Sequence, residues 1–548
     1  MAGNAFAYQH GDDEATFSLV DTSRAAGGFG GFGRGGFGRG GARGGRGGGR
    51  GGRGGTKLGG AAPVIGGFAG ARSTYAARGR GGFRGGFRGG RGGGPGGGRF
   101  RDWDRPQRTR EASATVGPDW EQLEEIDFHR LGKLSLGVEE PETLEEVGTL
   151  YEYDRNYDRL GAVKMEKPLQ PLDRIRYNIT TSDDPIMQRI ASERPAAQAS
   201  EDAPEGGAAP TRIYITDSIL ALLMCMPRSV YPWDITLSVQ DGAVFFDKRD
   251  GGAFDFVTVN ENAADPPLEP TELKEDKDNT SSAAAQAAAA AAVAAKGADS
   301  INTPSSLSLE ATYILQNFSF SVVKEDKKMN FKDGENPFYS AADETDPLAS
   351  CGYRYRRFNL SSNPADPVEM VVRTEVDAFM PGTTASAPKQ LVTIKTLNEF
   401  DSKAQGAGGA PDWRSKLNSQ RGAVVATEMK NNSFKLARFA VQAVLAGADN
   451  MKLGYISRAT PKDASKHVIL ATQSFKPREF AAQMNLNLNN GWGIVRTIAD
   501  LVRKREGKFV LLKDPNKQVI RLYSVPNDYP HHEDDIAEDD EEEYDEDM

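Results

Sequence analysis

Apolar and polar positions between about 213 and 526 follow regular periods, and these periods predict the elements of one folded domain. Helical spacing of apolar residues predicts helices at 217–226 with Thr216 as N-cap, near 309–318, at about 434–446 and at about 493–505. Runs rich in β-branched and aromatic residues predict strands at 233–239, 244–246, 351–358, 371–377, 390–395, 452–457, 467–475, 509–513 and 518–525. The first two strands flank Asp241-Gly242, a two-residue turn typical of a hairpin. Together these elements predict an α+β fold with a single large mixed, mostly antiparallel sheet.

Segments rich in glycine and charge flank this domain, and the formal net charge of −10 conceals their opposite signs. Residues 22–101 contain fifteen Arg, one Lys and no acidic residue, whereas 533–548 contain twelve acidic residues and neither Lys nor Arg. Such sequence buries too little apolar surface to fold. We expect the 22–101 arm to bind RNA without sequence preference, because its arginines attract phosphates and its recurring phenylalanines can stack on bases. A solubilising, self-associating linker is the alternative.

Changes in composition divide the chain into five parts. They are a short N-terminal motif at 1–21, the disordered Gly/Arg/Phe-rich arm at 22–101, an adaptor or extended region with a linker at 102–212, the domain at 213–526 with an exposed alanine-rich insertion at 268–305, and a disordered acidic tail at 527–548. The two cysteines, Cys225 and Cys351, exclude a disulfide framework or a zinc finger. Because the chain has neither an apolar signal stretch nor a membrane-spanning run, we expect a soluble cytoplasmic protein.

Two segments of the domain carry the side chains of a metal-dependent nuclease with one ligand missing. Glu375 and Asp377 share one face of a strand, and Thr393 and Lys395 share a face of the strand predicted to lie beside it. Magnesium prefers carboxylate oxygens that offset its charge, and the neutral hydroxyl of Thr393 replaces one of them. These positions predict a vestigial metal site, without metal, that binds the end of a nucleic acid and does not cut it. Exposed strand faces without a site are the alternative.

Longer stretches of the chain resemble the family of d-type subunits of the eukaryotic translation initiation factor three complex, over about 102–548. They include Arg228-Ser-Val-Tyr-Pro-Trp-Asp234, Phe245-Phe-Asp-Lys-Arg249, Leu309-Glu-Ala-Thr-Tyr313, Tyr353-Arg-Tyr-Arg-Arg357 and Ile394-Lys-Thr-Leu-Asn-Glu-Phe-Asp401. The resemblance implies a fold like that of the decapping exonucleases, used as a noncatalytic module without a cofactor that binds the 5′ 7-methylguanosine cap of selected messenger RNAs. The implied partners are capped messenger RNA, the other subunits of the complex and the small ribosomal subunit, with no membrane.

The resemblance also implies which residues contact the cap. They are Asp217, Val230, Tyr231, Thr312, Leu315 and Gln316. Of these, Leu315 and Gln316 differ from the polar pair expected at their positions. A loop over the pocket, called the RNA gate in this family, maps onto Ala253, Phe254, Asp255, Phe256, Val257, Thr258, Val259, Asn260, Glu261, Asn262, Ala263, Ala264, Asp265, Pro266 and Pro267.

Charge gives some of these positions a chemical role. The methylated guanine of a cap is cationic, which favours aromatic faces and a carboxylate such as that of Asp217. Arg354, Arg356 and Arg357 are candidate contacts of the cap triphosphate, and a solvated strand face is the alternative for them. Helix N-terminal charge is the alternative role of Asp217.

Two other functions remain open from the sequence. A metal-dependent RNA 5′-end nuclease or decapping enzyme would use Glu375, Asp377 and Lys395. A general RNA chaperone would act through the 22–101 arm alone, with steep salt dependence and no preference for capped ends. Within the cap-binding hypothesis, three gate carboxylates are expected to mimic phosphate until RNA displaces them, namely Asp255, Glu261 and Asp265.

Overall fold

The computed structural model describes residues 110, 112–158, 167–169, 179–193, 210–240, 242–249, 251–252, 254–259, 300–331, 336–338, 351–363, 365–382, 384, 386–399, 401–402, 409–527 and 529. All of them belong to one compact unit. The predicted arm at 22–101, most of the insertion at 268–305 and nearly all of the acidic tail lie outside the described residues.

Fifteen strands and nine α-helices are found in the described residues. The strands are β1 (Glu121–Asp127), β2 (Glu142–Tyr153), β3 (Lys167–Pro168), β4 (Thr211–Thr216), β5 (Asp234–Gln240), β6 (Ala243–Asp247), β7 (Val323–Asn330), β8 (Cys351–Asn359), β9 (Val368–Val376), β10 (Ala378–Met380), β11 (Gln390–Asn398), β12 (Asn450–Thr460), β13 (Asp463–Phe475), β14 (Gly507–Lys513) and β15 (Val519–Val525). The helices are α1 (Phe128–Leu131), α2 (Pro185–Ser192), α3 (Asp217–Cys225), α4 (Pro304–Ser321), α5 (Trp413–Lys416), α6 (Arg421–Asn431), α7 (Ser433–Leu445), α8 (Pro477–Gln483) and α9 (Leu488–Val502).

The strands form one sheet in the order β1-β15-β14-β5-β6-β4-β9-β8-β2-β10-β11-β12-β13-β3, and β7 pairs with β2 outside this path. Most pairings are antiparallel. The parallel ones join β4 to β6 and β9, β11 to β12, and β2 to β10. The predicted α+β fold with a large, mixed and mostly antiparallel sheet is confirmed.

The predicted helices and strands of the domain are present, with shifted ends. The hairpin of β5 and β6 pairs Gln240 with Ala243 across the predicted turn. Helix α9 begins at Leu488 rather than near 493, because the side chain of Asn487 accepts the backbone N–H of Asn490 and caps the helix. At α3, Thr216 occupies the N-cap position, but its hydroxyl lies 3.0 Å from the hydroxyl of Ser218 and does not bond a backbone N–H.

The sheet begins well before the predicted domain boundary at 213. Strand β1 pairs with β15, and β2 pairs with β8, so the region assigned to an adaptor contributes two long strands to the same sheet. Helix α2 covers the neighbouring face. Its N-cap, Asp184, accepts the backbone N–H groups of Ile186 and Met187 and is paired with Arg373 of β9 at 2.8 Å. Both charged side chains are buried, so this ion pair fixes the segment around 184 against β9.

The main core lies where helices α3, α7 and α9 pack on the sheet. Helix α4 packs against β11 on the opposite face, because Val392 and Ile394 contact Ile314 and Phe318, whereas the alternate residues of β11 point the other way. The ring of Phe318 lies on Gly454 of β12, where an added Cβ would be 2.4 Å from a ring carbon. This close approach requires glycine. None of the helices in the described residues combines the length and apolar character needed to cross a bilayer.

Candidate functional site

The two strands of the predicted nuclease framework, β9 and β11, are separated in the sheet by β8, β2 and β10, and β10 directly follows β9 in the chain. β9 pairs with β8, and β11 pairs with β10 and β12, so β9 and β11 are not hydrogen-bonded neighbours as the sequence suggested. Asp377 lies between β9 and β10. At this residue the chain stops pairing with β8 and begins to pair with β11. Its backbone N–H donates to the carbonyl of Val392 at 3.0 Å, and its Oδ2 accepts the N–H of Ile394 at 2.6 Å. Asp377 therefore connects the two halves of the site.

Asp217 joins this framework from the N-terminus of α3. Its Oδ2 accepts the backbone N–H of Glu375 at 3.1 Å, and its Oδ1 accepts Nε2 of Gln442, on α7, at 3.2 Å. The sequence assigned Asp217 to cap contact and Glu375 to the metal framework, and the structure places both in one cluster. Gln442 was not predicted. Its only signal in the sequence is a polar residue between the apolar Val441 and Ala443, which are buried.

The cluster contains more carboxyl groups than cationic groups. Burial and the neighbouring carboxylate of Glu375 raise the pKa of Asp217 to about 7, although the Lys395 ammonium and the hydrogen bonds from Glu375 and Gln442 oppose this shift. Burial also raises the pKa of Asp377. For Lys395, burial lowers the pKa, but the surrounding carboxylates outweigh it and the net shift is upward. One ammonium group thus faces three carboxyl groups.

Thr393 lies on the same face of β11 as Lys395, and only 1% of it is exposed. Its Oγ1 has no hydrogen-bond partner among the residues that the structure describes. Within those residues, no three His, Cys, Asp or Glu side chains are arranged to hold one metal ion. The donor set is also a poor match for magnesium, because an ammonium group and a neutral hydroxyl stand beside the carboxylates.

The expected cap contacts at Val230 and Tyr231 lie away from this cluster. They follow the C-terminal end of α3, a nine-residue helix that is about 13 Å long, whereas Asp217 begins it. Arg110 covers them. Its guanidinium carbon is 5.1 Å from the ring centroid of Tyr231, and its Nη1 donates to the carbonyl of Val230 at 3.4 Å. Asp217 and this pair therefore lie toward opposite ends of α3, and their shared contact with a cap stays a prediction.

The expected contacts on α4 meet the gate segment instead. The hydroxyl of Thr312 donates to the carbonyl of Ser308 at 2.8 Å and accepts the backbone N–H of Val257 at 2.9 Å. The carbonyl of Thr258 accepts Nζ of Lys435, on α7, at 2.8 Å. The described gate residues, 254–259, are thus held by two helices. The remaining gate positions, 253 and 260–267, lie outside the described residues.

The other α4 and gate positions have structural roles. Leu315 and Phe254 pack against the main core, and Gln316 is half-buried. The carboxylate of Asp255 is 2.8 Å from Nζ of Lys248, and both side chains are almost fully buried. Asp255 is therefore paired with a buried lysine at the base of the segment, and its role as a phosphate mimic stays a prediction.

The arginines expected to hold the triphosphate have partners within the protein. Arg354 Nε donates to Glu146 at 2.8 Å, and Arg356 donates to the carbonyl of Leu445 at the end of α7. A cation is favoured at this position, because the carbonyl groups at a helix C-terminus carry partial negative charge. Arg357 pairs with two further carboxylates, those of Glu142 and Glu369.

Strand register separates these arginines from the carboxylates. Arg354 stands opposite Thr374 and Tyr353 stands opposite Glu375 in the antiparallel pair of β8 and β9. Because neighbouring residues on a strand point to opposite faces, Arg354 and Arg356 face away from the side that carries Glu375. Contact of these arginines with a cap triphosphate stays a prediction, and any such contact lies on the face of β8 and β9 opposite to Glu375.

The sequence of the chain is similar to that of known proteins over nearly its whole length. The model of the family described as eukaryotic translation initiation factor 3 subunit 7 matches residues 1–524. The D subunit of eukaryotic translation initiation factor 3 from Mycosarcoma maydis is 61% identical over 544 residues, which cover 98% of this chain and 86% of the relative. The chain belongs to this family of translation initiation factor subunits. The D subunit from Emericella nidulans is 48% identical over 562 residues, which cover 99% of this chain and 86% of the relative.

Membership of this family confirms the resemblance drawn from the sequence. Comparison of folds finds Rai1 of Scheffersomyces stipitis, with 12% identity, a TM-score of 0.36 and coverage of 76% of this chain and 93% of that chain. Rai1 of S. pombe has 12% identity, a TM-score of 0.35 and coverage of 73% and 99%.

Proposed function

We propose that this member of the initiation factor family is a noncatalytic, cytoplasmic component of the initiation factor three complex that binds the 7-methylguanosine cap of selected messenger RNAs. It acts with the other subunits on the small ribosomal subunit, and the 253–267 segment controls access to the cap site. The observation that carries the proposal is the cluster of Asp217, Glu375, Asp377 and Lys395 around the neutral Thr393.

The composition of the cluster supports binding without cleavage. A divalent ion that activates water for phosphate-ester hydrolysis needs carboxylate ligands to offset its charge. Thr393 supplies no charge, and Lys395 competes with a cation for the remaining carboxylates. The same carboxylates suit a cationic methylated base. The contact between Val257 and Thr312 supports a gate, because one hydroxyl serves both the segment and an expected cap contact.

Crosslinking tests this proposal directly. Full-length protein is incubated with messenger RNA that carries a labelled, photoreactive cap, and free cap analogue or unmethylated guanosine triphosphate is added as competitor. We expect crosslinks that the cap analogue removes and the unmethylated nucleotide does not. Equal competition by both nucleotides would show that the site does not recognise a cap.

A metal-dependent RNA 5′-end nuclease that uses Glu375, Asp377 and Lys395 is the second candidate, because the carboxylate of Asp377 accepts the N–H of Ile394, next to Lys395. Capped and 5′-phosphorylated RNAs are incubated with the protein and magnesium or manganese. Degradation that requires metal and is abolished by Glu375→Ala would establish the enzyme. Intact RNA is the outcome expected from cap binding alone.

The terminal segments complete the proposal. We assign the 22–101 arm to nonspecific RNA contact beside the cap-binding domain, since its charge has one sign and its aromatic residues recur. Deleting the arm should reduce affinity for long RNA and its salt dependence while leaving the preference for a methylated cap unchanged. Loss of that preference would support a chaperone that acts through the arm.

A further inference from the structure

We propose, on the basis of the cap-binding function above, that the guanine base of the cap lies against the carboxylate cluster and that the phosphates point away from it. Glu375 and Asp377 then accept hydrogen bonds from the base, and Thr393 and Lys395 donate to it. These four residues determine specificity for methylated guanine.

The net charge of the cluster determines whether it attracts the methylated base or the phosphates of the cap. Three carboxyl groups lie near Lys395, since Asp217 accepts the N–H of Glu375 and Asp377 accepts the N–H of Ile394, the residue before Lys395. The nearest described cation on β9, Arg373, is paired with the buried carboxylate of Asp184 at 2.8 Å. A phosphate placed here without a divalent ion would meet like charge, whereas a methylated guanine brings a positive charge.

Hydrogen-bond chemistry gives the same orientation. The pairing edge of guanine presents two donors, N1–H and the N2 amino group, beside one acceptor, O6. Carboxylates only accept, and an ammonium group only donates. A carboxylate has several acceptor positions, so Asp377 can receive a base donor while it keeps the N–H of Ile394. Glu375 and Asp377 therefore match the donor side of the edge, and Lys395 matches O6.

Thr393 supplies a second, independent observation. Its hydroxyl is buried, with 1% of the residue exposed, and finds no partner in the part of the chain that the structure describes. A buried hydroxyl without a hydrogen bond is unfavourable. Because Thr393 shares the face of Lys395, we place the guanine O6 between the hydroxyl and the ammonium group. The ligand would thus satisfy the unpaired hydroxyl.

Glu375→Gln separates this orientation from its opposite. Binding of 7-methylguanosine triphosphate and of unmethylated guanosine triphosphate to the full-length protein is measured by calorimetry with a metal chelator present. If the base lies at the cluster, the substitution weakens binding of the methylated nucleotide by about tenfold, the loss expected for one hydrogen bond to a charged group. The preference for the methylated nucleotide falls with it.

If the phosphates lay at the cluster, Glu375→Gln would change the affinity in the opposite direction. Removing one negative charge would then tighten binding in the chelator, and added magnesium would strengthen binding to the wild type. Either result overturns the proposal. Glu369→Gln is the matched control, since Glu369 is a half-buried carboxylate on the same face of β9. It should leave both affinities unchanged.

Thr393→Val tests the hydroxyl without disturbing the fold. No protein hydrogen bond to Oγ1 is lost in the described structure, so the thermal unfolding temperature should stay the same. Binding of the methylated nucleotide should weaken by roughly threefold to tenfold. Thr236→Val is the control, because Thr236 on β5 is also buried and its hydroxyl also lacks a described partner.

The measurements distinguish failure of the cap-binding function from failure of the proposed orientation of the cap. A wild-type protein that does not prefer the methylated over the unmethylated nucleotide refutes cap binding itself and this orientation with it. A wild-type protein that shows the preference, with Glu375→Gln and Thr393→Val both unaffected, refutes only the orientation.

Discussion

Glu428 gives the sharpest test of the electrostatics of this domain. It lies on α6, is 5% exposed, and its Oε2 accepts Nδ2 of Asn432 at 2.6 Å. Burial raises its pKa from 4.5 to about 7; the ammonium of Lys435 and the Asn432 hydrogen bond oppose the rise, and the carboxylate of Glu399 adds to it. The folded state therefore binds a proton at pH values where the unfolded chain has released it.

The sign of the pH dependence follows from this difference. Between pH 4.5 and about 7 the folded state holds more protons than the unfolded state, so stability contributed by Glu428 is lost as the pH rises. The two pKa values correspond to about 3 kcal/mol, at about 1.4 kcal/mol for each pH unit. Glu428→Gln keeps the shape and cannot ionise. We expect it to be more stable relative to the wild type at pH 8 than at pH 5, by up to about 3 kcal/mol.

Chemical denaturation at pH 5, 6, 7 and 8 measures the effect. The free energy of unfolding of Glu428→Gln should vary less with pH than that of the wild type. Glu479→Gln, an exposed substitution on α8, serves as the control and should follow the wild-type curve. If Glu428→Gln and the wild type have parallel curves, the pKa of Glu428 is the same in the folded and unfolded states, and the electrostatic account is refuted.

Three further substitutions test packing, ion pairing and the gate. Asp184→Ala leaves the buried Arg373 without its partner and should lower the free energy of unfolding by about 3–5 kcal/mol in urea; a loss below about 1 kcal/mol, typical of an exposed pair, would contradict the buried arrangement. Gly454→Ala places a methyl group against the ring of Phe318 and should cost about 1–3 kcal/mol, seen as a lower melting temperature; an unchanged temperature would show that the ring moves freely. Replacing 253–267 with a short linker should strengthen cap binding in the calorimetric assay, and weaker or equal binding would argue against a gate.

Local sequence was sufficient for most of the secondary structure. The alternation in β9 and β11, the turn between β5 and β6, and the apolar spacing of α7 depend on residues a few positions apart, and each appears near its predicted place. Helix ends differ from the predicted ones where an N-cap residue determines the first helical residue, as Asn487 does for α9. The boundary of the domain was harder to predict from the sequence, because β1 and β2 look like isolated polar strands until their partners β15 and β8 are known.

The site itself divides in the same way. The sequence alone was sufficient to select Glu375, Asp377, Thr393 and Lys395 as candidates, because strand periodicity puts each pair on one face and the neutral Thr393 is visible without coordinates. It could not place Asp217 on the backbone of Glu375, since these residues are 158 positions apart and meet only because β4 runs parallel to β9.

Gln442 and the three arginines show what only tertiary structure decided. Gln442 reaches Asp217 because α7 packs beside α3, a contact that no local pattern encodes. Arg354 and Arg356 look like phosphate ligands in the sequence, yet register turns them toward the end of α7. The sequence by itself thus determined which chemical groups are present and which of them share one face of a strand. The pairing of distant strands and helices determined which of those groups meet, because charge and hydrogen bonding act over a few ångströms of space and not along the sequence.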